Sequence, residues 1–545
     1  ESFLQEVVAS YVDGKPLHLV NPQRSAFLPI SATEFKAQPI RDVLKIFSRQ
    51  NIVVYGLPQE EKVEFNETAF YDLVPSLDDD IDIQVTDLSI EPIKGNYRAR
   101  LKVGTARQLL AAHRQDGGKI LNALNFPGVV LTHPDLPLSS DVVSWNATRS
   151  RKMSQGETYP IPDMRWYLAA THGAAHMWHI DTNGTGTFIE SEGVKCWIVA
   201  FRKDDSEAFF SDTNCFLPPF DVTTVNKEKW RLEAIILSPG SHFQMRPNTI
   251  HSVITINGTI CRGGHLFCFS TMQQTAAGLI HSFVAELFIT NTDHSATKTV
   301  LRRMAELCHL VFVRGRLHDN PRVLAHIPNL NDMEGVLNFL SLCNLVILAN
   351  VLDGRTYQGW GQEDEKRTKK HLHDIKAYDR NAIPFEEREK YRHARGMCLH
   401  MLLWFGARYE ATFHDPTGKD VPIDVLCDLV FAYLVQQGRA LLLYKQKAEK
   451  HKITGYPGRT SKLLSVQLDA VFGIDERLKK GWISSALDQD TTKYSNLLWS
   501  GRKDLYFKKT STANERMGQL FSYCDMKPTL PHFSFGIQCQ WIHIA

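Results

Sequence analysis

Between about residues 160 and 275, apolar residues come in short runs that alternate with polar ones or fill several positions in a row, and turn residues cut them apart. The stretches 164–170, 187–189, 195–201, 232–237 and 266–270 read as strands. Many short strands at close spacing predict an antiparallel sandwich or barrel. A further β-type run, Asn51-Ile52-Val53-Val54-Tyr55-Gly56, ends at Gly56 and Pro58. Residues 1–50 form a mixed lead-in punctuated by Pro22, Pro29 and Pro39, and 105–117 have helical spacing through Leu109, Leu110 and Ala112. The acidic stretch 78–82 predicts a solvated turn.

After about 275 the hydrophobic period changes. Residues 275–288, 296–313, 332–352, 394–409 and 422–450 predict helices, and Asn331 with Glu334 three residues on predicts a capping box. The segment 363–395 mixes charges of both signs and predicts a solvated linker or exposed helix. No internal repeat or low-complexity tract interrupts the chain. The expected class is α+β: a lead-in over 1–50, a β-rich domain over 51–275, and a helical domain over 276–545 with a charged linker at about 360–395.

At 545 residues the chain exceeds what one core organises. A hydrophobic content of 43% with 22% charged residues is ordinary for a globular protein, and a net charge of +2 makes no general case for nucleic acid or membrane as a partner. Ten cysteines are scattered with no C-x-x-C, which argues against a zinc ribbon, a RING or PHD-type finger, and a disulfide scaffold. No apolar run reaches membrane-spanning length; the closest, 336–352, is broken by Asn338, Asn344 and Asn350. Without a signal-peptide pattern, the expectation is an intracellular protein of nucleus or cytoplasm. Four glycosylation-type sequons, at Asn66, Asn146, Asn183 and Asn257, are read as chance tripeptides.

The candidate chemistry starts at Ala175-His176-Met177-Trp178-His179-Ile180-Asp181. On a strand, residues i and i+2 share a face, so His179 and Asp181 converge while Trp178 and Ile180 turn to the packing side. An imidazole plus a carboxylate suits Fe(II), Zn(II) or Mn(II), but H-x-D alone is a weak signal. Leu237-Ser238-Pro239-Gly240 and Arg246-Pro247-Asn248-Thr249-Ile250-His251 then deliver a second histidine into another apolar strand. Two histidines and one carboxylate leave metal positions open for O2 and a bidentate co-substrate. Read singly, His251 would be a hydrogen-bonded core histidine. Lys195 enters an apolar strand fourteen residues after Asp181. Burying it is costly unless an anion meets it, the other reading being a snorkelling or edge lysine. Thr185 and Thr187 lie between these groups and either hydrogen-bond a co-substrate or form the turn.

The segments His179 to Phe188 and Gly193 to Ile198 together resemble the JmjC domain, closest to members with H-x-D-x-G-G-T followed by a G-x-K strand. Leu237-Ser238-Pro239-Gly240, His251-Ser252-Val253 and Gly263-Gly264-His265-Leu266-Phe267 are similar to the strands that close that fold. Gly104-Thr105 and Gly118 to Asn125 resemble the lead-in of JmjC proteins of mushroom-forming fungi. The resemblance covers about residues 45–275 and implies a double-stranded β-helix, that is, a jelly-roll or cupin-like core. It further implies Fe(II) on His179, Asp181 and His251, 2-oxoglutarate on Lys195, and O2 as oxidant. The implied reaction is hydroxylation or oxidative demethylation, most simply of methyl-lysine in a protein such as a histone. Alternatives are hydroxylation of a protein side chain, a nucleic acid base or a small molecule, and a non-catalytic binding module on the same scaffold. One departure is His176, which stands where many JmjC enzymes place a Thr or Ser that contacts the co-substrate. On a regular strand it shares a face with Trp178, opposite His179, unless a bulge intervenes; it is read as a pocket residue. His265 and Trp166-Tyr167 line the cavity or pack the core. The basic stretch 445–509 is a solvated surface or a nucleic acid contact, and Cys524, His532, Cys539 and His543 carry metal donors at a spacing that matches no zinc module.

Overall fold

The structure, a computed structural model, describes residues 5, 11–58, 64–86, 100–115, 119–127, 137–203, 213–216, 222–284, 296–317, 319–357, 383–415, 417–423, 426–451, 460–483 and 505–509. The chain divides into two compact units: residues 1–139, 159–278 and 287–294 form one, and 140–158, 279–286 and 295–545 form the other. The stretch 140–158, inside the expected β domain, therefore belongs with the helical unit.

The first unit is built on β-strands. A short hairpin, β1 (Tyr11–Val12) and β2 (Lys15–Pro16), precedes β3 (Phe27–Ser31), β4 (Asn51–Tyr55), β5 (Asp80–Thr86), β6 (Arg100–Thr105) and β7 (Ile120–Pro127). There follow β8 (Arg165–Ala170), β9 (Ala175–His179), β10 (Gly186–Ser191), β11 (Lys195–Arg202), β12 (Trp230–Leu237), β13 (Ser241–Met245), β14 (Ile250–Thr255) and β15 (Thr259–Leu266). Among the described residues, nine strands form one sheet in the order β3-β4-β13-β10-β15-β8-β7-β5-β6, and four form another in the order β12-β11-β14-β9. Every pairing in them is antiparallel except β3 with β4.

The two sheets face each other across one apolar cluster. Trp197, Val199 and Val253 from the smaller sheet pack with Phe27, Val53, Ile189, Phe243 and Cys261 from the larger. The Trp197 and Phe243 rings meet edge to face at 5.3 Å. Side chains alternate along a strand, so Cys196, Ile198 and Ala200 pack on the other side of the smaller sheet with Trp178, Ile180 and Phe216.

Several expectations change. The lead-in is part of the architecture, because β3 extends the larger sheet beside β4 and Glu233 of β12 accepts hydrogen bonds from the Ser25 hydroxyl and the Ala26 amide at 2.6 and 3.0 Å. Within the acidic stretch 78–82, Asp78 and Asp79 form the expected solvated turn, where Asp78 accepts from the Nε and Nη2 of one guanidinium edge of Arg107 at 2.7 and 2.8 Å, while Asp80 opens β5. The stretch 266–270 is not a strand, because β15 ends at Leu266 and Phe269–Thr271 is a 3-10 turn.

The second unit holds the helices Thr297–Phe312, Met333–Ile347, Phe385–Arg408, Leu426–Lys450 and Ser461–Phe472, with a small sheet of β16 (Tyr409–His414), β17 (Asp420–Ile423) and β18 (Leu505–Lys509) in the order β17-β16-β18. The cap of Met333–Ile347 is Asp332, whose carboxylate accepts from the Gly335 amide at 2.7 Å; Asn331 is displaced from that role. The charged segment 363–395 is described only from 383 onward. Of its described part, Phe385 onward is helix, and Arg392 and Arg395 are buried, with the Arg395 Nε donating to the Ile347 carbonyl at 3.1 Å. Its residues 363–382, and Cys524, His532, Cys539 and His543, lie outside the described residues. Among the described residues one helix, Leu426–Lys450, is long and apolar enough to cross a membrane, a test that core helices also pass; 56% of its apolar window is buried.

Among the described residues of this unit, His309, His326 and His400 are buried and His393 is half-buried, and burial drives all of these rings toward the neutral form. His326 and His393 are pushed down to about 4 by burial, and His400 to about 3 by burial and the neighbouring Arg314. Below the unfolded value near 6.5 the unfolded chain takes up protons that the folded chain refuses, so stability falls as pH falls from about 6.5 toward 4. Urea unfolding at pH 7.5 and pH 5 should give a lower midpoint at pH 5; an equal or higher midpoint contradicts the burial of neutral rings.

Candidate metal centre

His179 ends β9 and His251 lies on β14, and the two residues are direct cross-strand partners. Asp181 follows two residues after His179, at the start of the 3-10 turn Thr182–Gly184 that leads into β10. One donor atom from each of His179, Asp181 and His251 lies within 4.8 Å of the other two, and all three residues are buried. Each imidazole Nε2 is 4.0 Å from Asp181 Oδ1. This group can hold a metal ion.

The orientation of both rings has a single cause. His179 Nδ1 is 2.7 Å from the Met177 carbonyl and His251 Nδ1 is 2.9 Å from the Thr249 carbonyl, each two residues back along its own strand. A carbonyl only accepts, so both rings carry their proton on Nδ1 and turn the Nε2 lone pair toward Asp181. Burial drives both imidazoles toward the neutral form, His251 down to about 3 and His179 well below the usual range. Neutral imidazoles are the ligating form. Trp197 stacks on His251 with centroids 5.1 Å apart and planes 19° apart, which closes the inner side of the ring. On the other side the Asp181 carboxylate accepts a short hydrogen bond through Oδ2 from the Thr187 hydroxyl.

His176 is not turned away. Between His251 and Val253 the β9–β14 register shifts, and the extra residue on β9 forms a bulge that brings His176 onto His179, ring centroids 3.7 Å apart. The ammonium of Lys195 also acts on His176, which burial, His179 and that charge push well below its usual range. Lys195 opens β11, is 4% exposed, and stands two residues before Trp197, so both occupy the inner side of the smaller sheet. Burial lowers its ammonium from the ordinary value, and among the described residues no carboxylate pairs with it. Thr185 donates its hydroxyl to the Thr182 carbonyl at 3.0 Å, so its proton holds the turn.

Both ligand-bearing loops dock on the helix Met272–Val284, a support that no sequence pattern announces. Thr275 Oγ1 donates to the Gly184 carbonyl at 2.8 Å, and the Asn248 amide, three residues before His251, donates to the Gln274 carbonyl at 2.5 Å. Gly184 has φ +62°, and a Cβ there would lie 2.4 Å from the Thr275 carbonyl oxygen; a Cβ on Gly278 would lie 2.5 Å from Gly184 Cα. The only legible signal is Asn183-Gly184, a turn-forming pair.

No known protein family matches the chain, and no curated protein matches it in sequence.

Gly184→Ala should destabilise the protein by about 1–3 kcal/mol and weaken binding of Mn(II). Gly56, also at positive φ but with open space around it, provides the comparison: Gly56→Ala carries the backbone strain without the collision. Equal melting temperatures for the two variants would show that the helix contact contributes nothing.

Proposed function

We propose that the chain is an Fe(II)- and 2-oxoglutarate-dependent oxygenase on a double-stranded β-helix of the JmjC type. The observation that carries this reading is the convergence of His179, Asp181 and His251, buried, with both Nδ1 atoms tied to carbonyls. The strand order supports the scaffold. From β8 to β15 the larger sheet takes β8, β15, β10 and β13 in that order, and the smaller takes β12, β11, β14 and β9, the alternation of a chain wound as a paired β-helix.

The donor set fits Fe(II): two neutral imidazoles and one carboxylate on one face suit a borderline divalent ion and leave its other positions to exogenous ligands. When bound, iron would supply the activation of O2 for oxidation of a substrate C–H, coupled to conversion of 2-oxoglutarate to succinate and CO2. The chain's own part is to position and exclude water. His179, Asp181 and His251 would hold the ion, and Thr187 fixes the Asp181 carboxylate by occupying Oδ2. Lys195, desolvated and without a carboxylate among the described residues, would bind the distal carboxylate of the co-substrate. His176, brought over by the bulge, would border the same ligand. Thr185 supports the turn, so of the two threonines only Thr187 reaches the ligand set directly.

The substrate is proposed as methyl-lysine in a protein, a histone tail being the simplest case, where hydroxylation of the methyl group releases formaldehyde. A hydroxylase of another side chain, a base or a small molecule would use the same centre and leave a stable alcohol. The reading puts the protein in a reducing compartment, which the free state of the eight described cysteines supports.

Succinate formation from 2-oxoglutarate with Fe(II) and O2 tests the reading. Wild type should turn over, slowly without substrate, His179→Ala should not, and Lys195→Ala should raise the KM for 2-oxoglutarate about 10- to 100-fold. Formaldehyde release with methylated peptides separates demethylation from plain hydroxylation. A wild type that binds Fe(II) yet forms no succinate with any substrate class would mark a binding module instead.

A further inference from the structure

Behind Asp181 stands a residue whose protonation is dictated by its neighbours. His265 lies on β15 directly opposite Thr187 on β10, and it is buried. Its Nδ1 is 3.3 Å from the hydroxyl of Thr187 and 3.3 Å from that of Thr185. Each hydroxyl has one hydrogen to give. The Thr187 hydrogen goes to Asp181 Oδ2, and the Thr185 hydrogen goes to the Thr182 carbonyl. Neither hydroxyl can donate to the ring. His265 Nδ1 must therefore carry the proton and donate to both oxygens.

We infer that His265 is a positioning residue for the metal centre. Its Nδ1–H, shared between Thr185 and Thr187, orients the Thr187 hydroxyl, which holds Asp181 Oδ2 and leaves Oδ1 facing the two imidazoles. Hydrogen bonds in such a chain polarise one another in the same direction, so the bond to the carboxylate is strengthened by the ring behind it. The same ring ties the turn that carries Asp181, through Thr185, to the strand that carries Thr187. This inference rests on the triad being a metal site and assigns a role to a ring that does not touch the metal.

Two measurements test it. In metal-free wild-type protein labelled with 15N-histidine, the His265 ring, identified by its loss in the His265→Asn spectrum, is expected as the Nδ1–H tautomer; the Nε2–H tautomer overturns the inference whatever the metal does. The second measurement is titration of metal-free protein with Co(II), read from the visible absorption of the bound ion. His265→Ala should weaken Co(II) binding about tenfold, the lower end of the loss seen when the partner of a ligand is removed. His265→Asn, whose amide places an N–H where Nδ1 stood, should restore most of it. Thr187→Val should weaken binding as much as His265→Ala, and the two together should cost little more than either. If His265→Ala does not fold, the His265→Asn, Thr187→Val pair carries the comparison: His265→Asn should bind near wild type and Thr187→Val about tenfold more weakly. Wild-type affinity in folded His265→Ala, or in Thr187→Val, overturns the inference while leaving the metal site standing. No Co(II) binding by wild type, with Asp181→Ala indistinguishable from it, overturns the metal site and this inference with it.

Discussion

Two hydrogen bonds of the same kind, from each ligand imidazole to the carbonyl two residues earlier on its own strand, are the constraint on which the centre depends. They use backbone groups, so the aim of each ring is set by strand geometry and not by a second side chain that could drift. The cross-strand pairing of His179 with His251 then sets the spacing, and Trp197 limits rotation from the inner side. With the rings fixed and neutral, Asp181 is the one carboxyl donor of the three, and Thr187 holds its second oxygen. The remainder of the β unit, including the lead-in strand β3 and the loop docking on Met272–Val284, keeps these few atoms in register.

How much of this could be read from residues alone follows from the range of each interaction. His179 and Asp181 were legible because alternation along a strand is local and needs no knowledge of partners. His251 was legible through its setting after a proline-glycine turn, and Lys195 because a lysine within an apolar run contradicts its surroundings. The β strands from 164 to 237 and the helix near 297–312 followed from period. What escaped was whatever depends on distant packing. The bulge in β9 leaves no mark in Ala175-His176-Met177-Trp178-His179, so the side occupied by His176 could not be settled. Asp332 and Asn331 are equally good capping residues on paper, and only the position of the Gly335 amide chooses between them. The charged run after 383 reads as solvated, because a helix whose ions pair with residues far away in sequence has no local apolar stripe.

Two networks in the helical unit show one way this chain treats a buried cation. Arg302 and Arg303 share Glu157 with Lys390, at distances from 2.5 to 3.2 Å, and Arg303 lies over the Trp145 ring at 4.2 Å. Asp353, held down to about 2 chiefly by Lys298 and Arg355 against the opposing effect of burial, serves both of those cations and the Tyr391 hydroxyl. Removing one member of such a network strands a charge in a low-dielectric interior, typically at a cost of about 3–5 kcal/mol. Lys195 has no such carboxylate among the described residues, and the contrast with these two networks is what gives it weight as an anion receptor.

The bulge in β9 has an evolutionary corollary. A regular strand cannot present residues 176 and 179 on one side, since three steps along it reverse the direction of the side chain. The surplus residue is what lets two imidazoles of one short strand stand together. Descendants of this sequence that lose one position between the two rings can dispense with the bulge, because two steps of regular pleating already keep both side chains on one side of the strand.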